Sequence, residues 1–556
     1  MKNTYKDIRD SLVRSITEGF DIDDFGNDII EQPSKKKKVT KKSKIYDSLK
    51  NFIDRGFTEM TAKECLEQMS DSDKDIAKYV YANYDDIDDD CRDFIEENGM
   101  RRFIEEVVLC PIMDEIASKM SGNKELTDED IEFIQTFVYS IDSTDNFLYA
   151  YYVPYDHNEI KRIISYACTH NMKDINLNWI DVEYIKNFNY MFSDELWSSS
   201  KDCHLFIGDI SLWDMSGAVD LISMFNGSHF NGDISGWNLS SARNMTAMFE
   251  KSAFDGDISR WRFPDAYNLH RMFQCSRFNG DISEWEFPQV EDMSFMFDQS
   301  IFTGDISQWK FPKVKKMGYM FSDSVFNGDI SGWDVSGVEI MNSMFRGAEF
   351  NGDISGWQLD SAIDLSYMFM LSNINCDLSS WRFPKAENLE YIFSKTTHQF
   401  DISGWEFPNA RNMNGMFYES AFNGDISKWE FPKVIYMSSM FEKSGFDGDI
   451  SKWKFPKVKD MSGMFKSSKF NGDISEWQFP VIDSMEDMFA YSKFNKDISR
   501  WRFPKGVNMS TMFRNAAFNK DITKWNVADN DVRDMFKECA IEKRSKPKAL
   551  GHYGRI

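Results

Sequence analysis

The sequence predicts an α/β repeat solenoid, a ladder of parallel strands backed by short helices, with an all-α domain ahead of it. Three observations carry that expectation. The string Asp-Ile-Ser-x-Trp, with minor variants, recurs with its Asp at positions 209, 233, 257, 281, 305, 329, 353, 377, 401, 425, 449, 473, 497 and 521, always 24 residues apart. Fourteen of the 16 Trp stand four places after that Asp. The other apolar residues also keep fixed offsets, so units of equal length bury like side chains against like.

Counting from the Asp, position +1 is Ile or Leu, +2 Ser or Thr, +4 Trp, and +6 Phe, Leu, Met or Val, as in Phe263, Phe311 and Leu359. Alternation between +4 and +6 has the period of a short half-buried strand. From +9 to +16, as in Ala242, Met245, Met248 and Phe249, apolar residues are three and four apart, which predicts one or two helical turns with a single buried face. Pro at +7 (Pro264, Pro288, Pro312 and six others) ends the strand, because it has no N–H for a further ladder bond. The Asn-Gly-Asp turn that opens most units tolerates positive φ. Strand and helix returning this often stack with right-handed crossovers, and at about 4.8 Å per strand the ladder extends roughly 65 Å. Two units depart from the rule. Met535-Phe536 comes one place early, and His398 takes the +21 Phe position with Phe400 two residues later.

Ile, Trp and Phe at +1, +4 and +6 reproduce the L-x-x-L-x-L spacing of leucine-rich repeats. The pattern F-N-G-D-I-S-x-W-D-V-S-x-V-x-x-M-x-x-M-F, best seen from Phe326 through Asp329, Trp333 and Val338 to Phe345, resembles the BspA-like leucine-rich-repeat surface proteins. The resemblance covers residues 206–540. It implies a surface-exposed adhesin or ligand-binding protein. Most units here read W-x-F-P in place of W-D-V-S, which alters the strand exit and keeps the core.

Ahead of the repeats, residues 1–32 form an amphipathic and acidic segment with Ile8, Leu12 and Ile16 at helical spacing, followed by a basic linker at 33–44, PSKKKKVTKKSK. The linker reads as a solvated tether; it also resembles a nuclear-localisation string or an anchoring arm. Residues 45–172 show helical spacing, with Thr127-Asp-Glu-Asp130 before Ile131, Ile134, Phe137 and Val138 as a capping-box start. Residues 173–205, with Trp179 and Met191-Phe192, read as a degenerate first repeat, and 541–556 as a basic C-terminal tail.

A net charge of −25 argues against nucleic acid or anionic membrane as a general partner of the repeats. No run approaches the roughly 20 apolar residues of a membrane span, and the N-terminus lacks the apolar core of an export signal. The family's surface proteins generally carry such a signal, so the expected location is cytoplasmic or virion-associated. Eight scattered Cys without a CxxC pair predict reduced thiols and no zinc site.

The Asp column is the most tempting candidate site. Carboxylates at strand spacing repel by about 1 kcal/mol per pair even in water. The reading that offsets this has each Asp capping backbone N–H groups of its own turn; the alternative is calcium held between turns. Asp86, Asp88, Asp90 and Glu97 match EF-hand positions, yet Cys91 stands where Gly is needed and Asp93 where an apolar residue belongs, so no metal is expected there. The expected recognition face is the outward pair +3/+5: Arg260, Arg262, Glu284, Glu286, Lys310, Lys428, Glu430, Lys452, Lys454, Arg500 and Arg502. The competing reading is a solvated charged ladder with pairs such as Arg262 beside Glu286. The seven His share no repeat position, and no nucleophile elbow, phosphate loop or HExxH occurs. The sequence therefore predicts a non-enzymatic binding or adhesion protein without cofactor, its ligand a protein or glycan. The alternative is a structural component of a phage or viral particle anchored by the N-terminal arm.

Overall fold

The computed structural model describes residues 110–127, 130, 152, 154–194 and 202–548. The acidic Asp86–Glu97 stretch, the N-terminal segment and the basic linker lie outside them. The described residues fall into two compact units, one within Met1–Ile185 and Ser198–Met215, the other within Lys186–Trp197 and Ser216–Ile556.

In the first unit, α1 (Cys110–Ser121) packs with α2 (His157–Thr169). Asp156 caps α2 by accepting the Glu159 N–H at 3.0 Å, and Glu159 reaches back to the Tyr155 N–H at 2.7 Å, so orphan donors at the helix start are satisfied from both sides. Ile160, Ile163, Ile164 and Ala167 form its buried face. The Thr127/Asp130 capping box is present: the Thr127 N–H donates to Asp130 at 2.9 Å and the Asp130 N–H to Thr127 Oγ1 at 3.1 Å. Lys119 also reaches Asp130, at 2.6 Å.

The second unit corrects the predicted fold class. No β-strand longer than a single bridge and no α-helix occurs among the described repeat residues, so the parallel strand ladder backed by short helices is not formed. Nor is the described N-terminal part purely helical, since Tyr152 makes a parallel bridge to Ile180. Neighbouring repeats meet instead through one bridge per unit at +11, running Asn187, Asp220, Asn244, Asn268, Asp292 and onward to Asp531.

The helix fails because two residues per unit adopt left-handed φ, at +14 and +18, as in Ala247 (55°) and Lys251 (56°). Each is the third residue of a turn closed from i+3 to i: Met248 N–H to Met245 C=O at 3.2 Å, and Ser252 N–H to Phe249 C=O at 3.2 Å. Positive φ at that place is what a type II turn demands, and it cannot continue an α-helix. The turns free every second N–H for the next unit: Met245, Ala247, Phe249 and Lys251 donate to Asn268, His270, Met272 and Gln274 at 2.7–3.0 Å. This forward pattern repeats along the chain, and donation back to the preceding unit is confined to its flanks, as from Arg243 to the Val219 C=O and from Ala253 to the Ser228 C=O, both at 2.9 Å.

The strand fails for a different reason. In the interior units the Trp-x-Phe arm makes no backbone hydrogen bond to its neighbour. The indole does that work. From Trp261 to Trp525, twelve Nε1–H groups donate to the +1 carbonyl of the preceding unit at 2.9–3.2 Å. A second link runs at +22, where the Asn423 side-chain oxygen takes the Asp447 N–H at 2.9 Å and Asp447 takes that of Asn471 at 2.7 Å.

The residues predicted to be core are core. Ile, Trp, Met and Phe of the repeat are almost all under 5% exposed. Phe rings at +16 stack without interruption from Phe192 to Phe536, centroids 5.0–6.0 Å apart. The missing residue near the end is taken up between the Val527–Asn530 turn, which closes as in other units, and the bridge at Asp531, so Phe536 keeps its place 5.8 Å from Phe513. In the irregular unit Phe400 fills the vacated +21 space, 4.7 Å from Phe393.

Candidate functional site

The Asp column caps its own turns. All fourteen Asp accept the N–H of their own +2 Ser or Thr at 2.9–3.2 Å. These bonds to the charged form hold the carboxyls of Asp257, Asp281, Asp329, Asp353, Asp377, Asp425, Asp449, Asp497 and Asp521 below the usual carboxylate range. Where +11 is Asp or Asn it caps its own turn in the same way, as where Ser294 N–H donates to Asp292 and Thr246 N–H to Asn244, at 2.9 and 3.1 Å.

The folded values lie below the unfolded one, so the stabilisation is present above a pH of about 4 and is lost as pH falls through the folded values. We expect the urea midpoint to drop between roughly pH 4 and pH 2. Asp449→Asn, which keeps the accepting oxygen without its charge, should lower the neutral-pH midpoint only by the part that acid removes, and Asp449→Ala should cost more, about 1 kcal/mol. Equal losses in both variants would show that charge, not the accepted N–H, is what the position supplies.

The predicted recognition residues all lie exposed: Arg260, Arg262, Glu284, Glu286, Lys310, Lys428, Glu430, Lys452, Lys454, Arg500 and Arg502. They form an outward row beside the buried Trp and Phe. The expected Arg262–Glu286 pair is absent among the described residues. Arg262 instead turns back on its own unit, donating to the Ser259 and Trp261 carbonyls at 3.1 and 2.9 Å. Arg382 and Arg502 do likewise. Arg500 does pair with the preceding unit, at 2.6 Å from Glu476.

A second set of outward side chains is not legible in the sequence, because the spacing there predicts a helix. Phe295, Tyr319, Tyr367 and Tyr391 stand at +14 with φ of 60, 59, 58 and 51°. Left-handed φ costs a non-glycine residue about 1–2 kcal/mol, and bulky residues are rare there. Phe295 and Tyr319 stack at 4.4 Å, Tyr367 and Tyr391 at 5.3 Å, and Tyr418 meets Tyr391 edge-on at 5.8 Å. Tyr391 lies over Gly415, where an added Cβ would come within 2.2 Å of its ring. Cations close both ends: Arg271 sits 5.1 Å from the Phe295 centroid, Lys443 5.3 Å from that of Tyr418. Burial and the neighbouring Glu390 push the Tyr367 phenol up to about 12. All five rings are half-buried, and the Tyr418 hydroxyl accepts from the Lys443 ammonium at 3.0 Å.

Among the described residues no group of three or more His, Cys, Asp or Glu is placed to hold a metal ion, and no helix is long and apolar enough to cross a membrane. The described cysteines Cys168, Cys203, Cys275, Cys376 and Cys539 are free thiols. Burial raises Cys168 and Cys203 to about 12, far from a reactive thiolate.

A family model described as "Mycoplasma protein of unknown function, DUF285" matches residues 158–279, 195–302, 299–401, 387–493 and 444–546. No curated protein and no solved structure matches the chain.

Proposed function

The chain belongs to this DUF285 family of repeats, and from that premise we propose that it is a non-catalytic binding protein that offers its outward rows to a protein or glycan ligand. The observation that carries the reading is a pair of aromatic clusters, Phe295/Tyr319 and Tyr367/Tyr391/Tyr418, with Ser343 at +14 of the unit between them. Four rings occupy backbone that would be relaxed by glycine, as it is at Gly415 and Gly463. Side chains kept where stability disfavours them point to use elsewhere. Tyrosine set among Ser, Asn, Gly and Arg supplies rigid contact area with adaptable hydrogen bonding, the composition of known recognition surfaces. The likeness of Phe326–Phe345 to BspA-like repeats adds adhesion to this reading, without the leucine-rich-repeat backbone.

The test compares capture of a partner by the full chain and two variants. Tyr367→Gly/Tyr391→Gly should weaken capture by at least about 100-fold, since two aromatic anchors are lost, while stability stays level or rises. Reversal of Lys452, Lys454, Arg500 and Arg502 to Glu should weaken it about tenfold. Undiminished capture by both variants would end the proposal.

A further inference from the structure

The last units depart from the acidic character of the rest. Between Lys493 and Lys548 there are 14 Lys and Arg against 7 Asp and Glu, in a chain of net charge −25. Several of these cations are consumed locally: Arg500 by Glu476, Lys505 by Asp529, Arg533 by Asp531, and Arg544 by Glu542. Lys496, Lys520 and Lys524 have no acidic partner within ion-pair distance and are exposed. All three line one open cavity of about 560 Å³, together with Asn495, Asp497, Ser499 and Asp521.

Two of these lysines stand where the repeat otherwise favours glycine. Lys496 and Lys520 occupy +23, the place of Gly448 and Gly472 in earlier units. A Cβ added at Gly448 or Gly472 would meet the Phe ring two residues back at 2.8 Å, so a side chain there is tolerated only if that ring gives way. Phe494 and Phe518 nevertheless stay fully buried beside the two lysines.

The cavity's carboxylates are already committed, Asp497 accepting the Ser499 N–H and Asp521 the Thr523 N–H, both at 2.9 Å. Asn495 Oδ1 is likewise held by the Asn519 N–H at 3.1 Å, which leaves its amide N–H groups to donate elsewhere. The Ser499 hydroxyl also bonds Asp497, so three ammonium groups and the Asn495 amide are what the cavity offers a ligand. Since Lys496 and Lys520 sit on successive units, they match a polymer that carries an anionic group at each step. No aromatic side chain lines the cavity; Trp501 and Trp525 are 1% and 3% exposed, so there is no platform for bases.

We propose that this cavity binds an anionic polysaccharide through Lys496, Lys520 and Lys524. The proposal deepens the binding reading above by naming a ligand class, and it rests on the repeats serving as a binding scaffold. Lys496 and Lys520, at +23, belong to neither row, so their glycine variant lets the two readings fail separately; Lys524, at +3, shares the first row.

The full chain would be titrated with dextran sulfate, with unsulfated dextran, and with a DNA duplex of matched charge. At about 50 mM salt the dextran sulfate should bind and plain dextran should not, with log K falling against log salt at a slope of about −2 to −3. Lys496→Gly/Lys520→Gly, which restores the residue of other units and so keeps the fold, should weaken dextran sulfate at least tenfold and reduce that slope by about 2. Lys524→Gln should give a smaller loss in the same direction. The proposal is overturned if dextran sulfate fails to bind, or binds the glycine variant as tightly as the wild type. It is also overturned if the duplex binds as well as dextran sulfate and loses as much in that variant, since the ligand class would then be nucleic acid.

Discussion

Trp381→Ala is expected to destabilise the repeats by about 4 kcal/mol, in the range found for emptying a large aromatic from a packed core. Trp381 is fully buried, 6.4 Å from Trp405 and nearly parallel to it, with the Phe369 ring 5.8 Å away. Its indole N–H donates to the Ile354 carbonyl at 3.1 Å. That carbonyl also accepts the Trp357 N–H at 3.1 Å, so losing the indole does not orphan it, and the bond itself contributes only about 1 kcal/mol. The larger share is the cavity. Trp381→Phe, which fills most of the space and removes the donor, should therefore cost about half as much. Long repeat arrays need not unfold in one step, so a global midpoint is the weaker readout. Hydrogen exchange is the sharper one: protection of Leu365, Tyr367, Phe369 and Leu371, whose N–H groups cross to the Trp381 unit, should fall while that of Met461 and Phe465 holds. A loss under about 1 kcal/mol, or protection lost evenly along the chain, would mean that the indole column does not join neighbouring units.

What the sequence made legible was the bookkeeping of side chains. The 24-residue period, the buried identity of Trp, Met and Phe, and the Asp cap all follow from spacing and residue chemistry. The backbone did not follow, and the reason is specific. Met245, Met248 and Phe249 are three and four apart, which a helix face requires, but a pair of turns with left-handed third residues delivers the same three side chains to the same core. No residue type announces those positions, since Ser223, Ala247, Arg271, Phe295 and Gly463 all occupy +14. Alternation at Trp261 and Phe263 likewise meant burial, not strand pairing, because the indole N–H carries the link that a ladder bond would have made. The outward charges of the +3/+5 row could be placed from the Trp and Phe between them. The tyrosine row could not, since its exposure depends on φ values that the residues themselves disfavour.

Removing one whole unit tests the architecture more severely than any substitution. Excision of Asp425–Gly448 joins Gly424 to Asp449 and recreates the Asn-Gly-Asp-Ile junction found at other units. Trp453 then meets the Ile402 carbonyl as Trp429 does now at 3.0 Å, and Phe465 takes the place of Phe441 on Phe417, now 5.6 Å apart. Each unit contacts only its neighbours, so the shortened chain should fold and melt within about 4 °C of the full one. Excision of Asp425–Tyr436 alone should not be tolerated. It deletes Ile426, Trp429, Phe431 and Val434 and leaves Met437, Met440 and Phe441 facing two neighbours whose arms no longer meet. The apolar area then left in water corresponds to at least about 5 kcal/mol, which should appear as dye binding, aggregation or a split melting transition. Were the half-unit chain to fold as well as the whole-unit one, the packing of successive units would not depend on their register. The aromatic columns would then be a by-product of repetition and not its cause.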